Sequence, residues 1–229
     1  MRVCFALMAL LPTLAVAAPP SSVKATFEMY RNNLLLGRVE ETFTSSKGKY
    51  QIESDAKPEG LATLLGKHRL TRVSKGAVTA QGLKPEFYEE KQTSGQKEKI
   101  RSAHFDWGNS TITLNNNGKT ETLALERGTQ DWSSLFYQFF FRAPKKETMT
   151  ATVADGRRVQ SYHYQFVDET DVTTDAGKFE TLHYSYAADN GERKTQFWLA
   201  KRKSFFPVKV IQEEDGTVVE QRLVALKFN

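Results

Sequence analysis

The sequence predicts an all-β, mainly antiparallel fold: a strongly curved meander sheet, or an open or half barrel, with one or two short helices packed across it. Short runs in which apolar and polar residues alternate recur along most of the 229 residues, a period of two that is typical of half-buried strands. Glycine, asparagine and aspartate separate these runs at short intervals. A sheet with so many strands curls to limit its exposed edges, which predicts the barrel-like shape.

Residues 1–17 form a predicted signal peptide. Arg2 gives a positive start, and the apolar run at residues 3–16 is too short to span a bilayer as a stable helix. The run ends in an A-x-A pattern at residues 15–17, which places the cleavage after Ala17. We therefore expect export to a bacterial periplasm, with residues 18–229 forming a single β-rich domain. No later stretch is apolar for long enough to span a membrane.

Cysteine content and charge exclude several classes of protein. Cys4 is the only cysteine and lies inside the signal peptide, so residues 18–229 can form no disulfide and no thiolate site. The formal net charge of +5 comes from 32 basic and 27 acidic residues that are interspersed along the chain. Such a mixture favours a solvated surface over a nucleic-acid interface. We expect no nucleic-acid partner and no cofactor.

The strands and turns can be assigned in order. Val23, Ala25, Phe27 and Met29 share one face of a first strand, and the turn at residues 31–33 leads into a second strand. Glycine, asparagine and aspartate tolerate the positive φ that tight turns require. Further turns are predicted at residues 47–48, 116–118, 155–156, 175–177, 190–191 and 215–216.

Two segments depart from this alternation. Residues 60–66 carry leucines at helical spacing and end in glycine, which predicts a short helix or helical turn. Residues 131–142 begin with a capping residue, Asp131, and end shortly before Pro144. The apolar residues of this second segment follow the i, i+3, i+4, i+7, i+8 rule of an amphipathic helix: Trp132, Leu135, Phe136, Phe139 and Phe140.

The aromatic surface of residues 131–142 is wider than one core-facing stripe requires. In a curved sheet with a helix across its opening, such rings line or cover a cavity, which is the usual position of lipids and other apolar ligands in barrels. The alternative is that the helix fills the barrel and that every ring belongs to the core. The candidate ligand-binding residues are Trp132, Phe136, Phe139 and Phe140, with Leu64 and Leu65 from the short helix.

Motifs of common enzymes do not occur in the sequence, which has no H-E-x-x-H, no G-x-S-x-G and no phosphate-binding glycine pattern. A weak catalytic alternative is the pair His104 and Asp106, which lie about 7 Å apart on one face of a predicted strand. The same aspartate can instead open a turn at the strand end. His163 and His183 lie on the polar faces of their strands, so we expect them to face solvent. No two histidines have metal-ligand spacing, and we expect no metal site.

Seven short motifs follow one another across most of the chain. They are GLKPEFY at 82–88, FDW at 105–107, DWSSLFY at 131–137, DGR at 155–157, VTTDAGKFET at 172–181, FWL at 197–199 and FPVK at 206–209. In this order they resemble the domain-of-unknown-function family numbered 3108, a group of uncharacterised bacterial periplasmic proteins. The family pattern often has proline where this chain has Asp175, a change confined to a turn. The resemblance implies an exported, mainly β fold and supplies no established catalytic residues.

These observations lead to three hypotheses. The first is an exported, non-enzymatic protein that binds an apolar ligand or a lipid-linked envelope component in its curved sheet. The second is an envelope hydrolase or glycan-processing enzyme that uses His104 and Asp106. The third is a structural scaffold whose edge strands pair with an envelope protein and whose interior is solid. The space behind the aromatic segment distinguishes the first hypothesis from the third.

Overall fold

The computed structural model describes residues 19–65, 68–188 and 193–229, apart from the side chains of Leu61 and Leu65. The predicted signal peptide at residues 1–17 lies outside the described residues. So do Gly66, at the end of the first helical segment, and the turn predicted at residues 190–191. Each of these assignments stays a prediction.

Fifteen strands form one sheet within the described part of the chain. Their bounds are β1 Ser22–Arg31, β2 Leu34–Ser46, β3 Lys49–Pro58, β4 His68–Thr79, β5 Gly82–Ser94, β6 Lys97–Asp106, β7 Thr111–Asn116, β8 Lys119–Ala124, β9 Gln130–Asp131, β10 Met149–Ala154, β11 Val159–Thr174, β12 Gly177–Ala187, β13 Arg193–Ala200, β14 Phe206–Glu214 and β15 Thr217–Phe228.

The sheet is a meander in which most strands pair with their neighbours in sequence. The spatial order is β8-β7-β6-β5-β4-β3-β2-β1-β15-β14-β13-β12-β11-β10-β9. β1 pairs antiparallel with both β2 and β15, so the first and last strands lie side by side within the sheet. The two-residue β9 runs parallel to β10. The sheet is open and not closed into a barrel, so the predicted antiparallel, barrel-like meander is confirmed.

The sheet curls until its two halves meet across the concave side. At one end of the strand order, the Gln130 side-chain amide donates a hydrogen bond of 3.1 Å to the carbonyl of Leu83 in β5. Gly156, between β10 and β11, lies against β6, where a Cβ would come within 2.7 Å of the Ser102 nitrogen. Its positive φ of 77° and its missing side chain permit this close approach. The concave side is therefore an interior rather than an exposed face.

The helical segments are shorter than the sequence predicts. Gly60–Leu65 forms a 3-10 helix, as expected for a short helical turn. Residues 131–142 contain one α-helical turn, α1 Ser134–Tyr137, followed by a 3-10 turn, Gln138–Phe140. The prediction of a regular amphipathic helix over these residues is therefore wrong in length. Aromatic residues are modest helix formers and a short helix gains little from propensity, so the contacts of the rings with the sheet determine the backbone here.

One end of the interior is solid. The inward-facing Phe43 and Ile52 are fully buried there, together with Phe206 of β14. The ring of Tyr137 in α1 stacks 4.8 Å from that of Phe43 and meets the ring of Phe206 edge-on at 5.7 Å. Phe140 adds an edge-on contact with Phe43 at 5.9 Å. The aromatic segment thus fills this end of the curved sheet and contributes to its core.

The two histidines predicted to face solvent differ. His163 is exposed, as predicted. His183 is only 8% exposed, so the prediction is wrong for this residue. Its partner on β13 is Trp198, and the indole stacks on the imidazole at 4.2 Å with an interplanar angle of 10°. The cross-strand tryptophan therefore covers the histidine, on a face of β12 that also carries the buried Phe179.

Candidate ligand-binding site

A cavity of about 590 Å³ lies on the concave side of the sheet. Its volume is within the range of about 300 to 1,000 Å³ that is typical of small-molecule sites. Trp132 and Phe136 of the aromatic segment line it, and both residues are only partly buried. The interior is not solid in this region, contrary to what the scaffold hypothesis requires.

The walls of the cavity come from inward-facing positions on both halves of the sheet. Strands β1 to β4 contribute mainly apolar side chains, whereas β13 to β15 add amides and hydroxyls. The apolar wall residues include Phe27, Met29, Val39, Ala56, Leu70, Val210 and Val219, and the polar ones include Thr195, Gln212, Thr217 and Gln221. A molecule in the cavity would therefore meet an apolar wall on one side and a more polar wall on the other.

A second depression, of about 380 Å³, extends the apolar wall toward the 3-10 helix Gly60–Leu65. It shares Met29, Ala56 and Leu70 with the main cavity and adds Ala62 of that helix. Ala62 is 8% exposed, so the helix is anchored over the strands by this residue. The shared lining residues make one continuous apolar surface.

Asp131 anchors the start of the aromatic segment. Its Oδ1 accepts hydrogen bonds from the backbone N–H groups of Ser133 and Ser134, both at 2.8 Å, so it caps the first turn as predicted. The hydroxyl of Ser74 in β4 donates to its Oδ2 at 2.6 Å. Burial raises the pKa of Asp131 to about 6, although these hydrogen bonds favour the ionised form. One buried carboxyl group thus fixes the aromatic segment to the sheet.

Two further side chains hold the segment in place. The hydroxyl of Tyr137 donates a hydrogen bond of 2.8 Å to Glu41 Oε1 on β2. The Gln138 amide accepts from the N–H of Leu83 at 2.7 Å and donates to the carbonyl of Gln81 at 2.9 Å. Gly82 leaves room for this amide, because a Cβ there would lie 2.3 Å from Gln138 Oε1. The position of the rings is therefore set by strands from the N-terminal half of the sheet.

A row of polar side chains crosses the inner face of β2 to β6. The strand registers pair Glu41 with Ser54, Ser54 with Arg72, Arg72 with Glu90, and Glu90 with Arg101. Residues paired across adjacent strands lie on the same face, so the five side chains form one line, which we call the polar row. Three members of the row, on β2, β3 and β4, also line the cavity.

Glu90 joins the two arginines of the polar row. Its Oε2 accepts a hydrogen bond from Arg72 Nε at 2.9 Å, and its Oε1 accepts one from Arg101 Nη1 at 3.0 Å. The Glu90 side chain is 12% exposed, whereas that of Arg72 is 33% exposed toward the cavity. Burial of Glu41 raises the pKa of its carboxyl group, and the hydrogen bond from Tyr137 opposes that shift. The cavity therefore has charged groups on this wall, and Glu214 and Asp215 lie on the opposite wall.

The structure brings together only some of the predicted ligand-binding residues. Trp132 and Phe136 line the cavity, whereas Phe139 is 6% exposed and Phe140 packs into the solid end. Leu64 is 81% exposed and does not line the cavity. The side chain of Leu65 lies outside the described part of the molecule. The aromatic segment is thus divided between a core face and a cavity face.

The alternative catalytic pair lies on the other face of the sheet. His104 and Asp106 line one open depression, and the His104 ring packs 4.8 Å from that of Phe87. Both carboxylate oxygens of Asp106 bind Asn109: Oδ1 accepts from its backbone N–H at 3.0 Å, and Oδ2 from its side-chain amide at 2.7 Å. These hydrogen bonds lower the pKa of Asp106, which makes it a weak base. The geometry fits the stabilisation of the turn after β6.

The polar row was not identified from the sequence, although a signal for it exists. In a strand with a buried inner face, a charged residue at the inward parity stands between apolar residues two positions away on either side. Glu41 lies in this way between Val39 and Phe43, and Arg72 follows the inward-facing Leu70. The inward-facing position of these charged residues in the strand alternation, more than their number, indicates the row.

The described residues contain neither a metal-binding cluster nor a membrane-spanning helix. Within residues 19–65, 68–188 and 193–229, no group of three or more histidine, aspartate or glutamate side chains is arranged to hold a metal ion. None of the helices in the same ranges has the length and apolar character needed to cross a membrane.

Comparison with known proteins identifies the family. Residues 26–222 match the family model described as protein of unknown function (DUF3108). The chain belongs to this family. The resemblance seen in the seven sequence motifs is therefore confirmed. Comparison of the DUF3108 chain with curated proteins gives no significant match.

One solved structure shares the fold, and two others are more weakly similar. A β-barrel-like protein of the domain of unknown function DUF1849 from Brucella abortus matches with a TM-score of 0.60 and 14% identity, over 93% of this chain and 100% of the other. A protein from Parabacteroides distasonis, provisionally described as a lipoprotein, matches with a TM-score of 0.39 and 10% identity. The match covers 93% of this chain and 98% of the other. A protein from Bacteroides fragilis, provisionally described as exported with a YmcC-like fold, matches with a TM-score of 0.35 and 9% identity. The match covers 91% of this chain and 96% of the other. The first similarity concerns the fold and not the function, and the other two carry no argument.

Proposed function

We propose that this DUF3108 protein is an exported, non-enzymatic protein that holds an apolar ligand on the concave side of its sheet. The observation that supports this function is the cavity of about 590 Å³, against which Trp132 and Phe136 are partly exposed. Protein interiors are close-packed and contain few voids larger than a water molecule. The aromatic and aliphatic part of this lining favours an apolar occupant, because transfer of apolar surface out of water is favourable.

The lining is sufficient for useful affinity. Burial of about ten methylene groups gives roughly 8 kcal/mol before the costs of association are subtracted, at about 0.8 kcal/mol per group. Phe27, Met29 and Leu70 supply the aliphatic and aromatic contacts on one wall, and Val210 and Val219 supply those on the other. An alkyl chain between these walls would contact side chains from both halves of the sheet.

Export is the second part of the proposal. The A-x-A pattern that ends at Ala17 supports cleavage of a signal peptide, and an envelope protein has access to lipids and lipid-linked intermediates. Expression of the full chain in a Gram-negative bacterium should therefore give a periplasmic protein whose N-terminal residue is Ala18. N-terminal sequencing of the fractionated protein tests this, and recovery of the uncleaved chain in the cytoplasm would contradict it.

Ligand binding can be tested directly. The purified protein is extracted with organic solvent and the extract is examined by mass spectrometry, and the delipidated protein is titrated with a fluorescent fatty acid. We expect a bound apolar molecule and saturable binding. If the extract contains no apolar molecule and the fatty acid shows no saturable binding, the proposed function is wrong.

Three variants locate the bound probe. Phe136→Ala removes a ring from the cavity and should weaken binding by about tenfold, and Val219→Trp fills the space and should abolish binding. Leu64→Ala is the matched control, because this leucine is 81% exposed outside the cavity, and it should leave binding unchanged. Equal binding by all three variants would mean that the probe occupies another site.

A further inference from the structure

The polar row stands out within the interior that surrounds it. Inward-facing positions on β2 to β4 are otherwise occupied mainly by apolar side chains, among them Val39, Phe43 and Ile52. Removal of a charged group from water costs free energy unless the group is paired or finds a polar ligand. The row is therefore a feature that packing alone does not require.

The hydrogen bonds of Arg72 leave part of its guanidinium group available. Nε donates to Glu90, and among the described residues no side chain or carbonyl accepts from its two terminal amino groups. Arg72 lines the cavity, and its side chain is 33% exposed there. The planar pair of terminal N–H groups is therefore presented to the cavity, in the geometry that binds carboxylate or phosphate through two parallel hydrogen bonds.

The polar row contains two arginines and two glutamates, but they are unevenly placed around the cavity. Glu90 neutralises only one of the two arginines that it binds. Glu41 is the other carboxyl group on this side of the cavity, where its hydrogen bond with Tyr137 occupies one oxygen. Glu214 and Asp215 lie on the opposite wall, and Glu214 is paired with Arg193. Arg72 is the one cationic side chain among the described residues that line the cavity, and its terminal N–H groups can only donate, so an anionic acceptor would gain most beside it.

We propose that the ligand is an anionic amphiphile, whose carboxylate or phosphate group binds the terminal N–H groups of Arg72 while its alkyl chain lies along Trp132 and Phe136. The hydroxyl of Ser54, the neighbour of Arg72 in the polar row, supplies a further donor beside the same group. This inference rests on the proposed function and adds the chemical class of the ligand to it. The arginine selects the head group, and the rings and aliphatic walls hold the chain.

The test compares two fluorescent probes with the same alkyl chain, cis-parinaric acid, whose head group is ionised, and its uncharged methyl ester. At about pH 8 the acid is ionised, so the wild-type protein should bind the acid 10- to 100-fold more tightly than the ester, the effect expected of a charge-assisted hydrogen-bond pair. Arg72→Gln should reduce the affinity for the acid to that for the ester and leave the ester unaffected. Lys75→Gln removes a positive charge from the exposed face of the same strand and should change neither affinity.

A second variant covers the case in which Arg72→Gln does not fold, as judged by circular dichroism. Glu41→Gln keeps an oxygen that can accept from Tyr137 and removes the negative charge near Arg72, so it should increase the preference for the acid. Dodecanoate and dodecyl phosphate should displace the acid more effectively than dodecanol does, because they carry the anionic group. Inorganic phosphate should displace it poorly, because it lacks the chain.

The outcomes separate this inference from the function on which it rests. Equal affinity for acid and ester in the wild-type protein would overturn the anionic ligand while the apolar cavity function stands. A preference for the acid that survives in Arg72→Gln, or that falls in Glu41→Gln, would also overturn it. Binding of neither probe would overturn both proposals. Displacement by inorganic phosphate as effective as that by dodecyl phosphate would indicate a site for free anions and contradict the amphiphile.

Discussion

Replacement of Asp131 by asparagine should change how the stability of the protein depends on pH. The aspartate is fully buried, and burial raises its pKa from 3.8 to about 6. Asparagine keeps the Oδ1 acceptor for the N–H groups of Ser133 and Ser134 but cannot ionise. The variant therefore retains the cap of the aromatic segment and loses the titration.

The sign and size of the effect follow from the two pKa values. A folded-state pKa above the unfolded value means that protonation favours folding, so the stabilisation is complete below pH 3.8 and is lost as the pH rises through about 6. A difference of about 2 pKa units corresponds to about 3 kcal/mol in total. About 2 kcal/mol of this should be lost between pH 4.5 and pH 7.5. Asp131→Asn should therefore gain about that much relative to the wild type across the same interval.

Urea denaturation of both proteins at pH 4.5, 6 and 7.5 measures the difference, and the subtraction cancels the titration of all other groups. Asp106→Asn serves as the control, because hydrogen bonds to Asn109 lower the pKa of Asp106 below 3.8 and remove its titration from this interval. Its difference from the wild type should be constant. A constant difference for Asp131→Asn as well would refute the argument that burial dominates the environment of this carboxyl group.

Three further substitutions test the packing. Phe139→Ala should lower the free energy of unfolding in urea by about 3 to 5 kcal/mol, because the ring is only 6% exposed. It should not weaken the binding of the fluorescent fatty acid, because the ring lies outside the cavity. A loss of binding at unchanged stability would contradict this placement. Gly156→Ala should lower the melting temperature, since φ is +77° and the new Cβ would meet the Ser102 backbone at 2.7 Å; an unchanged melting curve would argue against this close approach. Tyr137→Phe should cost about 1 to 3 kcal/mol in urea, because Glu41 loses its donor; no loss would mean that water replaces the hydroxyl.

The sequence predicts hairpins well where backbone chemistry decides the turn. Asn32 and Asn33 both adopt positive φ, at 51° and 61°, as the turn between β1 and β2 requires. The turn between β4 and β5 was missed, because its central residues are Ala80 and Gln81. The Thr79 hydroxyl makes this turn instead, with hydrogen bonds to the Gly82 carbonyl and from the Gln81 N–H. Side-chain hydrogen bonds of this kind leave no signature in the usual turn residues.

The site could be predicted only in part, because a helical pattern records which side chains avoid water and not what they contact. Trp132, Phe136 and Phe140 belong to one apolar pattern, yet the first two line the cavity and the third packs beside Phe43. That division depends on strands distant in sequence. The length of the helix was overestimated for the same reason, since tertiary contacts override a short helical pattern. The parity of Arg72, by contrast, was available from the sequence alone.

The ladder between β1 and β15 determines when the cavity can form during folding. Ser21 Oγ donates to the carbonyl of Asn229, 208 residues away, whereas most other ladders join neighbours in sequence that can pair during synthesis. Such a long closure carries a large entropic cost and waits for the final strand. Because Phe27 of β1 and Val219 of β15 belong to the same lining, the cavity cannot form until the chain has been synthesised through β15.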